Sequence, residues 1–258
     1  MTSNKSRKAN QRAKASERVK AMQAQEAATA RRRRAMTVGV VVVIAIAAVV
    51  GIAIAVQSSR DDTSANAVRP PGITADNGIV RGKKDAPVQV VVYEDFQCPI
   101  CKAYEENVGD TLTSYIDDGT ISLEYRPIAF LDKASTTDYS SRALATAACT
   151  LDDAGPDAFF KLHDLLFANQ PKEGSAGLTD AQLAQFASQA GANQDAVAAC
   201  QSKGTYDGWV ANATDQSSKD GINGTPTYFV DGDKVTFTQG EDPKTTLSNL
   251  IDQAASAQ

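Results

Sequence analysis

The sequence predicts an α/β domain that carries a block of inserted helices and follows a single membrane-spanning segment. Three observations support this prediction. The apolar run Val88 to Tyr93 and the alternating pattern of Ile121 to Arg126 flank a helix-like stretch, which predicts two parallel strands. Residues 140–220 are rich in Ala, Gln, Asp and Leu at helical spacing. The run Val38 to Val56 has no charged residue and is long enough to span a bilayer.

The N-terminal part is basic. Residues 1–34 hold eleven Lys or Arg against two acidic residues and end in four arginines. The positive-inside rule therefore predicts residues 1–35 as a cytoplasmic segment, residues 36–57 as a transmembrane helix and the remainder as extracytoplasmic. A cleaved signal peptide is the alternative, because Ala53-Ile54-Ala55 resembles a cleavage site. The basic region and the apolar run are both longer than those of a typical signal peptide, which favours an uncleaved anchor.

The net charge divides unevenly along the chain. The whole chain carries −5 and residues 1–34 carry +9, which leaves −14 for the remainder. An acidic exterior domain argues against nucleic acid and anionic lipid as partners. Residues 58–75, rich in Ser, Asp and Asn around Pro70-Pro71-Gly72, are predicted to be a linker, and residues 76–258 the folded domain.

The spacing of apolar residues predicts further elements on either side of the two parallel strands. A short edge strand precedes them, a helix joins them, and an insertion at about 138–220 follows before a hairpin and a final helix. In chain order these are an edge strand at Ile79-Val80, helices at Pro99 to about Ile116, Tyr139 to Leu151, Pro156 to Ala168, Leu178 to Ala190 and Asn193 to Lys203, strands at Thr227 to Val230 and Lys234 to Phe237, and a helix from Pro243 to Ala255.

Cys98 and Cys101 form a C-x-x-C motif between the first buried strand and the helix that begins near Pro99. The free N–H groups and the positive dipole end of that helix favour a thiolate at Cys98, so we expect a lowered pKa and a nucleophilic role for this residue. Cys101 lies one helical turn further along, close enough to attack a mixed disulfide at Cys98. The pair is suited to thiol-disulfide exchange.

The other two cysteines, Cys149 and Cys200, lie in the predicted insertion near the ends of its first and last helices. Four cysteines in an oxidising exterior fit two disulfides, Cys98–Cys101 and a structural Cys149–Cys200 bridge. A Cys149–Cys200 bridge would clamp the insertion. Two buried free thiols are the alternative reading of this second pair.

Gly224-Thr225-Pro226 stands directly before the late strand, where a proline costs a hydrogen bond of the sheet. A cis Thr225-Pro226 bond would bring the loop close to the dithiol and leave the backbone of Thr225 free to pair with an extended substrate. Because most X-Pro bonds are trans, the sequence alone favours the trans form.

These motifs together resemble the DsbA-like thiol-disulfide oxidoreductases of the thioredoxin superfamily, in particular their membrane-anchored actinobacterial type. The resemblance rests on the strand before Phe96-Gln97-Cys98-Pro99-Ile100-Cys101, the helical insertion and Gly224-Thr225-Pro226 before the hairpin, and it covers roughly residues 76–258. It implies a thioredoxin-like fold with an inserted helical domain, Cys98 as the nucleophile, Cys101 as the resolving thiol and a cis Pro226 beside them.

Two positions depart from the family pattern. Where the DsbA of Gram-negative bacteria carries histidine between its cysteines, this chain has Ile100, which cannot donate a hydrogen bond to the thiolate, so we expect a less oxidising dithiol. The buried acid expected six residues before the nucleophile is replaced by Val92. Glu94 or Asp95 is the candidate to take over proton transfer, and the alternative is that both are solvated charges at a strand end.

No metal or cofactor is predicted. Zinc binding by Cys98 and Cys101 would need two further ligands, and the sequence has neither a second C-x-x-C nor a histidine pair. The only histidine, His163, lies in an amphipathic helical pattern far from the dithiol in sequence, which favours a packing or surface role.

The resulting functional prediction is an extracytoplasmic oxidoreductase that donates disulfides to exported proteins. The family resemblance implies reoxidation by a membrane partner of the DsbB or vitamin K epoxide reductase type. One alternative keeps the fold but reverses the direction, giving a reductase or isomerase. Another is a non-enzymatic module that holds unfolded chains in the groove beside Pro226.

Overall fold

The computed structural model describes residues 67–238 and 240–257. The predicted basic segment 1–35, the predicted transmembrane helix 36–57 and the linker up to residue 66 lie outside the described residues. Within the described ranges, no helix is both long enough and apolar enough to cross a bilayer.

A five-stranded sheet forms the base of the domain, with the strands in the order β1-β3-β2-β4-β5. Strands β2 and β3 are parallel, with Val88 opposite Ile121, as the sequence predicts, and the other three pairs are antiparallel. The strands are β1 Ile79–Arg81, β2 Val88–Glu94, β3 Ile121–Pro127, β4 Thr227–Val230 and β5 Asp233–Lys234.

Strand β2 lies at the centre of the sheet, between β3 and β4. Val88, Val90 and Val92 are at most 1% exposed, because helices and neighbouring strands cover this part of the sheet. The strand therefore delivers its carboxyl end, and the residues that follow it, to a rigid position.

Two helices pack against the sheet and against each other: α1 (Pro99–Asp117) and α6 (Pro243–Ser256). Helix α1 buries Val108, Leu112 and Ile116 at four-residue spacing, which places them on one face. Helix α6 buries Leu247 and Ile251 in the same way.

Four helices are inserted between β3 and β4, so the thioredoxin-like fold carries the helical insertion that the sequence predicts. They are α2 Tyr139–Ala168, α3 Asp180–Ala190, α4 Gln194–Ser202 and α5 Asp207–Lys219. The two helices predicted at 139–151 and 156–168 are one element with a kink, since Gly155 adopts a non-helical φ of 78° between them.

Three further differences concern elements that were not predicted or were predicted to be longer. Helix α5 was not predicted, because most of its sequence is polar. Its buried face is formed by Trp209, Val210 and Ala213. The returning strand of the hairpin was predicted from Lys234 to Phe237, but β5 comprises only Asp233 and Lys234, followed by one backbone hydrogen bond from Val235 to the carbonyl of Tyr228. A 3₁₀ turn at Phe130–Lys133 was also not predicted.

Cys149 of α2 and Cys200 of α4 are joined by a disulfide. The bridge ties the long helix of the insertion to a short one 51 residues later. Both ends lie inside the insertion.

Candidate active site

Cys98 is the N-cap residue of α1, in the short loop that follows β2. Its Sγ accepts a hydrogen bond from the backbone N–H of Cys101 at 3.4 Å. Its own N–H donates to the carbonyl of Asp95 at 2.9 Å, which holds the loop tight. Both cysteines of the motif are present as free thiols, so the structure represents the reduced state.

The two sulfurs have very different proton affinities. A hydrogen bond from the Cys101 side chain lowers the pKa of Cys98 to about 6 despite partial burial, helped by the side chain of Thr225 and by backbone N–H groups of α1. Burial, followed by the hydrogen bond and charge of Cys98, raises the pKa of Cys101 well above its ordinary value. At neutral pH the reduced site therefore holds a Cys98 thiolate and a Cys101 thiol.

The chain brings Thr225 and Pro226 to the dithiol from far along the sequence. The Thr225–Pro226 peptide bond is cis. The carbonyl oxygen of Thr225 lies 3.4 Å from Cys98 Sγ, so Cys98 can donate a hydrogen bond to it when the thiol is protonated. The predicted site residues Cys98, Cys101, Thr225 and Pro226 are thus assembled in one place.

Glu94 is buried, so the reading of this residue as a solvated charge is wrong. It is 1% exposed and ends β2 two residues after Val92, so both side chains point to the same face of the strand. Its Oε1 lies 2.8 Å from Nε2 of His163. Its Oε2 is buried and has no hydrogen-bond partner among the described residues.

Asp95 is also buried, but both oxygens of its carboxylate accept hydrogen bonds. Oδ1 accepts hydrogen bonds from the N–H of Gln97 at 2.8 Å and the hydroxyl of Ser140 at 2.6 Å. Oδ2 accepts from the N–H of Leu131 at 2.9 Å. Burial raises the pKa of Asp95, although these bonds oppose the shift. Asp95 therefore braces the active-site loop against the 3₁₀ turn and the insertion.

His163 is not a surface residue, and its contact with the dithiol strand was not predicted. It is 1% exposed, and its ring makes edge contacts with Phe96, Tyr125 and Phe167. Because 69 residues separate it from Glu94, no local pattern indicates that they pair.

Glu105 completes a charged cluster with Glu94 and His163. It lies four residues after Cys101 on α1, a spacing that places both side chains on one helix face. This spacing is the feature of the sequence from which Glu105 could have been predicted to lie near the dithiol. Burial raises the pKa of Glu105 to about 7. A cleft of about 450 Å³ is lined by Glu105, His163 and Asp164 and opens the cluster to solvent.

Ligand atoms of Glu94, Glu105 and His163 lie within 4.8 Å of one another, so this set is the candidate for holding a cation among the described residues. The 2.8 Å separation of Glu94 Oε1 from His163 Nε2 is that of a hydrogen-bonded ion pair. Within the cluster, the hydrogen bond between Glu94 and His163 therefore satisfies one oxygen of Glu94 without a cation.

Two glutamines connect the active-site loop to the insertion. The side chain of Gln170, after α2, donates to the carbonyls of Phe96 at 3.1 Å and Cys98 at 2.9 Å. The side chain of Gln97 donates to the carbonyl of Ser175 at 3.2 Å. These bonds fix the loop that presents Cys98.

Comparisons with known proteins agree with this geometry. A family profile described as Thioredoxin matches residues 74–253. Disulfide bond formation protein D of Bacillus subtilis is 30% identical over 176 residues, which cover 67% of this chain and 76% of that protein. The reduced structure of the disulfide bond oxidoreductase DsbG of Mycobacterium tuberculosis is 27% identical with a TM-score of 0.59, and the match covers 71% of this chain and 94% of that one.

A third relative shows the same region within a longer protein. The Na(+)/H(+) antiporter NhaA 3 of Salinispora tropica is 29% identical over 160 residues, which cover 62% of this chain. This chain spans only 22% of the length of that antiporter.

Proposed function

The chain belongs to the thioredoxin family, with the DsbA-like proteins that its motifs resemble, and from this premise we propose that it is an extracytoplasmic thiol-disulfide oxidoreductase that donates disulfides to exported proteins. The observation that carries the proposal is the asymmetry of the dithiol. The reduced site holds a stabilised Cys98 thiolate beside a buried Cys101 thiol. Stabilising the reduced form makes the oxidised form a better acceptor of electrons from substrate thiols.

The exchange proceeds in two displacements. A substrate thiolate attacks Cys98 of the Cys98–Cys101 disulfide, so that a substrate–Cys98 bond forms and Cys101 leaves as a thiolate that takes up a proton. A second substrate thiolate then attacks the substrate sulfur of the mixed disulfide, and Cys98 leaves as the stabilised thiolate. Two electrons pass from the substrate to the dithiol.

We assign the proton transfer at Cys101 to Glu94. The Cys101 thiol is protonated in the reduced site, so a proton must arrive and leave in each cycle. Glu94 ends the strand that leads into the loop of Cys98, and its Oε2 is buried with no hydrogen-bond partner among the described residues, so this oxygen is available to a proton. Asp95 is not assigned this role, because its oxygens are occupied by three donors.

Thr225 and Pro226 would hold the substrate. A carbonyl next to the sulfur can accept a hydrogen bond from the backbone of an extended peptide, as in strand addition. The contact between Thr225 and Cys98 supports this placement. Because main-chain bonds carry no side-chain preference, we expect a broad range of unfolded, thiol-containing substrates.

The proposed location follows from the basic segment 1–35 and the apolar run within 36–57, which would anchor the chain with its catalytic domain outside. A dithiol that donates disulfides must be reoxidised. We propose a quinone-linked membrane oxidase of the DsbB or vitamin K epoxide reductase type as the partner.

A reductase or isomerase is the second candidate, and Ile100 is the observation that favours it. This residue lies between the cysteines and is 56% exposed. An aliphatic side chain supplies neither a hydrogen bond nor a positive charge to the thiolate, so it stabilises the reduced form less than histidine does.

The reduction potential of the Cys98–Cys101 pair tests the direction. The purified chain is equilibrated with glutathione, and mass spectrometry resolves this pair from Cys149–Cys200. We expect a value between the roughly −120 mV of strong oxidants and the roughly −270 mV of thioredoxin, nearer the first. A value at or below −270 mV would contradict disulfide donation and support the reductase.

Cys98→Ser tests whether the protein is an enzyme at all. We expect this variant to lose exchange activity while Cys149–Cys200 stays intact. If instead the variant keeps its full effect on the recovery of an unfolded thiol protein, the chain acts by holding substrates.

A further inference from the structure

Three side chains from three separate elements converge beside the strand that leads into the active-site loop. They are Glu94 at the end of β2, Glu105 on α1 and His163 in the second half of α2. One nitrogen or oxygen atom of each lies within 4.8 Å of those of the other two. The cluster therefore brings together the sheet, the helix of the dithiol and the insertion.

Glu94 directs into this cluster a carboxylate that the described residues satisfy only in part. Its side chain is 1% exposed, and its Oε1 lies 2.8 Å from Nε2 of His163. Its Oε2 is buried and makes no hydrogen bond with any described residue. A buried acceptor without a partner costs free energy, which a positively charged ligand beside this carboxylate would remove.

His163 is oriented in the way that metal-binding histidines are. Its Nδ1 lies 3.2 Å from the carboxylate of Asp164, and its Nε2 faces Glu94. In protein metal sites the ring nitrogen that does not bind the ion commonly donates to a carboxylate, which fixes the tautomer and the ring orientation. Three aromatic rings contact the imidazole and restrict its rotation. A cation would take the place of the proton that a contact of 2.8 Å between Nε2 and Oε1 requires.

A cleft connects the cluster with solvent. It has a volume of about 450 Å³, and both Glu105 and His163 line it. Among the described residues, four acidic side chains line this cleft, against the basic Arg81 and Lys102. An excess of negative charge raises the local concentration of cations, and the opening provides the entry path that a metal site needs.

The ligand types and the dimensions of the cluster favour Zn²⁺. This ion accepts both imidazole nitrogen and carboxylate oxygen at about 2.0–2.2 Å, so its ligand atoms in a tetrahedral site lie about 3.4 Å apart. The half-buried Glu105 side chain on the cleft wall can rotate to bring atoms within 4.8 Å of one another to this spacing. Mg²⁺ and Ca²⁺ prefer ligand sets made of oxygen alone, so the imidazole argues against them.

We propose that Glu94, Glu105 and His163 form a Zn²⁺ site, in which Asp164 orients the imidazole and water from the cleft completes the coordination. The bound ion links β2, α1 and α2, and so ties the insertion to the part of the domain that carries the dithiol. Binding goes beyond the proposed function, since it uses neither thiol. Zn²⁺ and a proton use the same carboxylate of Glu94, so a bound ion excludes the proton transfer that we assign to this residue.

Isothermal titration calorimetry with ZnCl₂ tests the site on the full-length chain, held in detergent and purified without a histidine tag. The chain is first oxidised, so that Cys98 and Cys101 form a disulfide and do not bind the metal themselves. We expect a single Zn²⁺ per chain. Glu105→Gln should weaken binding about tenfold or more because a ligand is lost, and Asp164→Asn about tenfold because the imidazole loses its orienting partner.

Glu106→Gln is the matched control, because it makes the same replacement one position further along α1. This side chain is 68% exposed and pairs with Lys102. We expect the control to bind Zn²⁺ as the parent chain does. Equal loss of affinity in Glu105→Gln and Glu106→Gln would assign binding to the general acidity of the cleft and overturn the proposal. A dissociation constant of the parent chain above about 1 mM, equivalent to only about 4 kcal/mol of binding, would also overturn it.

A second measurement needs no substitution. The chain has one histidine, so labelling with ¹⁵N-histidine gives a single imidazole to observe by NMR. We expect Zn²⁺ to shift the Nε2 signal of the oxidised chain over the concentration range in which calorimetry detects binding, and Mg²⁺ at the same concentrations to leave it in place. An Nε2 signal that does not respond to Zn²⁺ would refute the site. The reduction potential of the metal-free parent chain tests the proposed function separately, so failure of one leaves the other intact.

Discussion

Glu94 and Asp95 are neighbours in sequence and both are buried, yet their environments give them different roles. Asp95 accepts three hydrogen bonds and acts as a brace for the loop. Glu94 has one oxygen paired with His163 and one without a partner in the part of the chain that the structure describes. A buried acceptor left unpaired costs about 1–3 kcal/mol, so it is expected where chemistry requires it. The two carboxylates differ in their hydrogen-bond partners rather than in their burial, and this difference gives them different roles.

At the same scale, we predict that the alkylation of Cys98 by iodoacetamide follows a pKa of about 6. The rate should be about tenfold higher at pH 7 than at pH 5, because the thiolate fraction saturates above the pKa. An ordinary thiol would show about a hundredfold difference over this range. Rates measured by mass spectrometry on the reduced motif distinguish the two.

Cys101→Ala provides the matched variant for this measurement. It removes the side-chain hydrogen bond that is the main cause of the lowered Cys98 pKa, so the alkylation profile should move to higher pH. An unchanged profile would show that the helix end and Thr225 suffice to activate Cys98.

Among the elements, α2 shows how one backbone position divides a helix into two parts with separate contacts. Gly155 adopts φ 78° and ψ −176°, a region that side-chain-bearing residues avoid, and Pro156 follows it without an N–H to donate. The first half carries Ser140 and Cys149, whereas the second half carries His163. Because of the kink, one helix contributes to the hydrogen bonds of Asp95, to the disulfide and to the charged cluster.

We predict that Gly155→Ala lowers the free energy of unfolding by about 1–3 kcal/mol. A Cβ at this position would meet no atom of residues 67–238 or 240–257 within 4 Å, so the cost comes from the backbone angle. Gly109→Ala, in the interior of α1 and with ordinary contact distances, is the control and should stabilise the chain by about 1 kcal/mol. Urea unfolding monitored by circular dichroism measures both, and stabilisation by Gly155→Ala would contradict the argument.

In the molecule as a whole, the insertion and the sheet share one active site. The sheet supplies the strand and helix that hold Cys98 and Cys101, and β4 begins just after Pro226. The insertion supplies His163, Ser140 and the glutamine contacts to the loop. The disulfide reinforces the insertion from within.

Removing that disulfide should therefore lower stability without removing the chemistry. We predict that Cys149→Ala/Cys200→Ala loses up to about 4 kcal/mol of unfolding free energy, the amount expected for releasing a closed loop of 51 residues. Thiol-disulfide exchange, measured at a temperature where the variant is folded, should persist because it uses Cys98 and Cys101. Loss of exchange in a folded variant would show that the bridge takes part in the reaction.

The sequence was enough to predict those elements and site residues whose signal is local or matches a family pattern. The parallel β2–β3 pair followed from apolar periodicity, and the positions of Cys98, Cys101 and Pro226 followed from motifs. Helix α5 was not predicted because few of its residues are large and apolar and most of its sequence is polar. The pairing of Glu94 with His163 could not be predicted, because it depends on how two distant elements pack.

The Gln170 bonds to the active-site loop end on main-chain carbonyls, not on side chains. Hydrogen bonds to main-chain carbonyls do not depend on which side chains the held residues carry. Pro99 and Ile100 form the first turn of α1, directly after the residues that these bonds hold, and Ile100 is largely solvent-exposed. Replacing the dipeptide between the cysteines can therefore change the reduction potential of the dithiol without moving the loop that Gln170 holds.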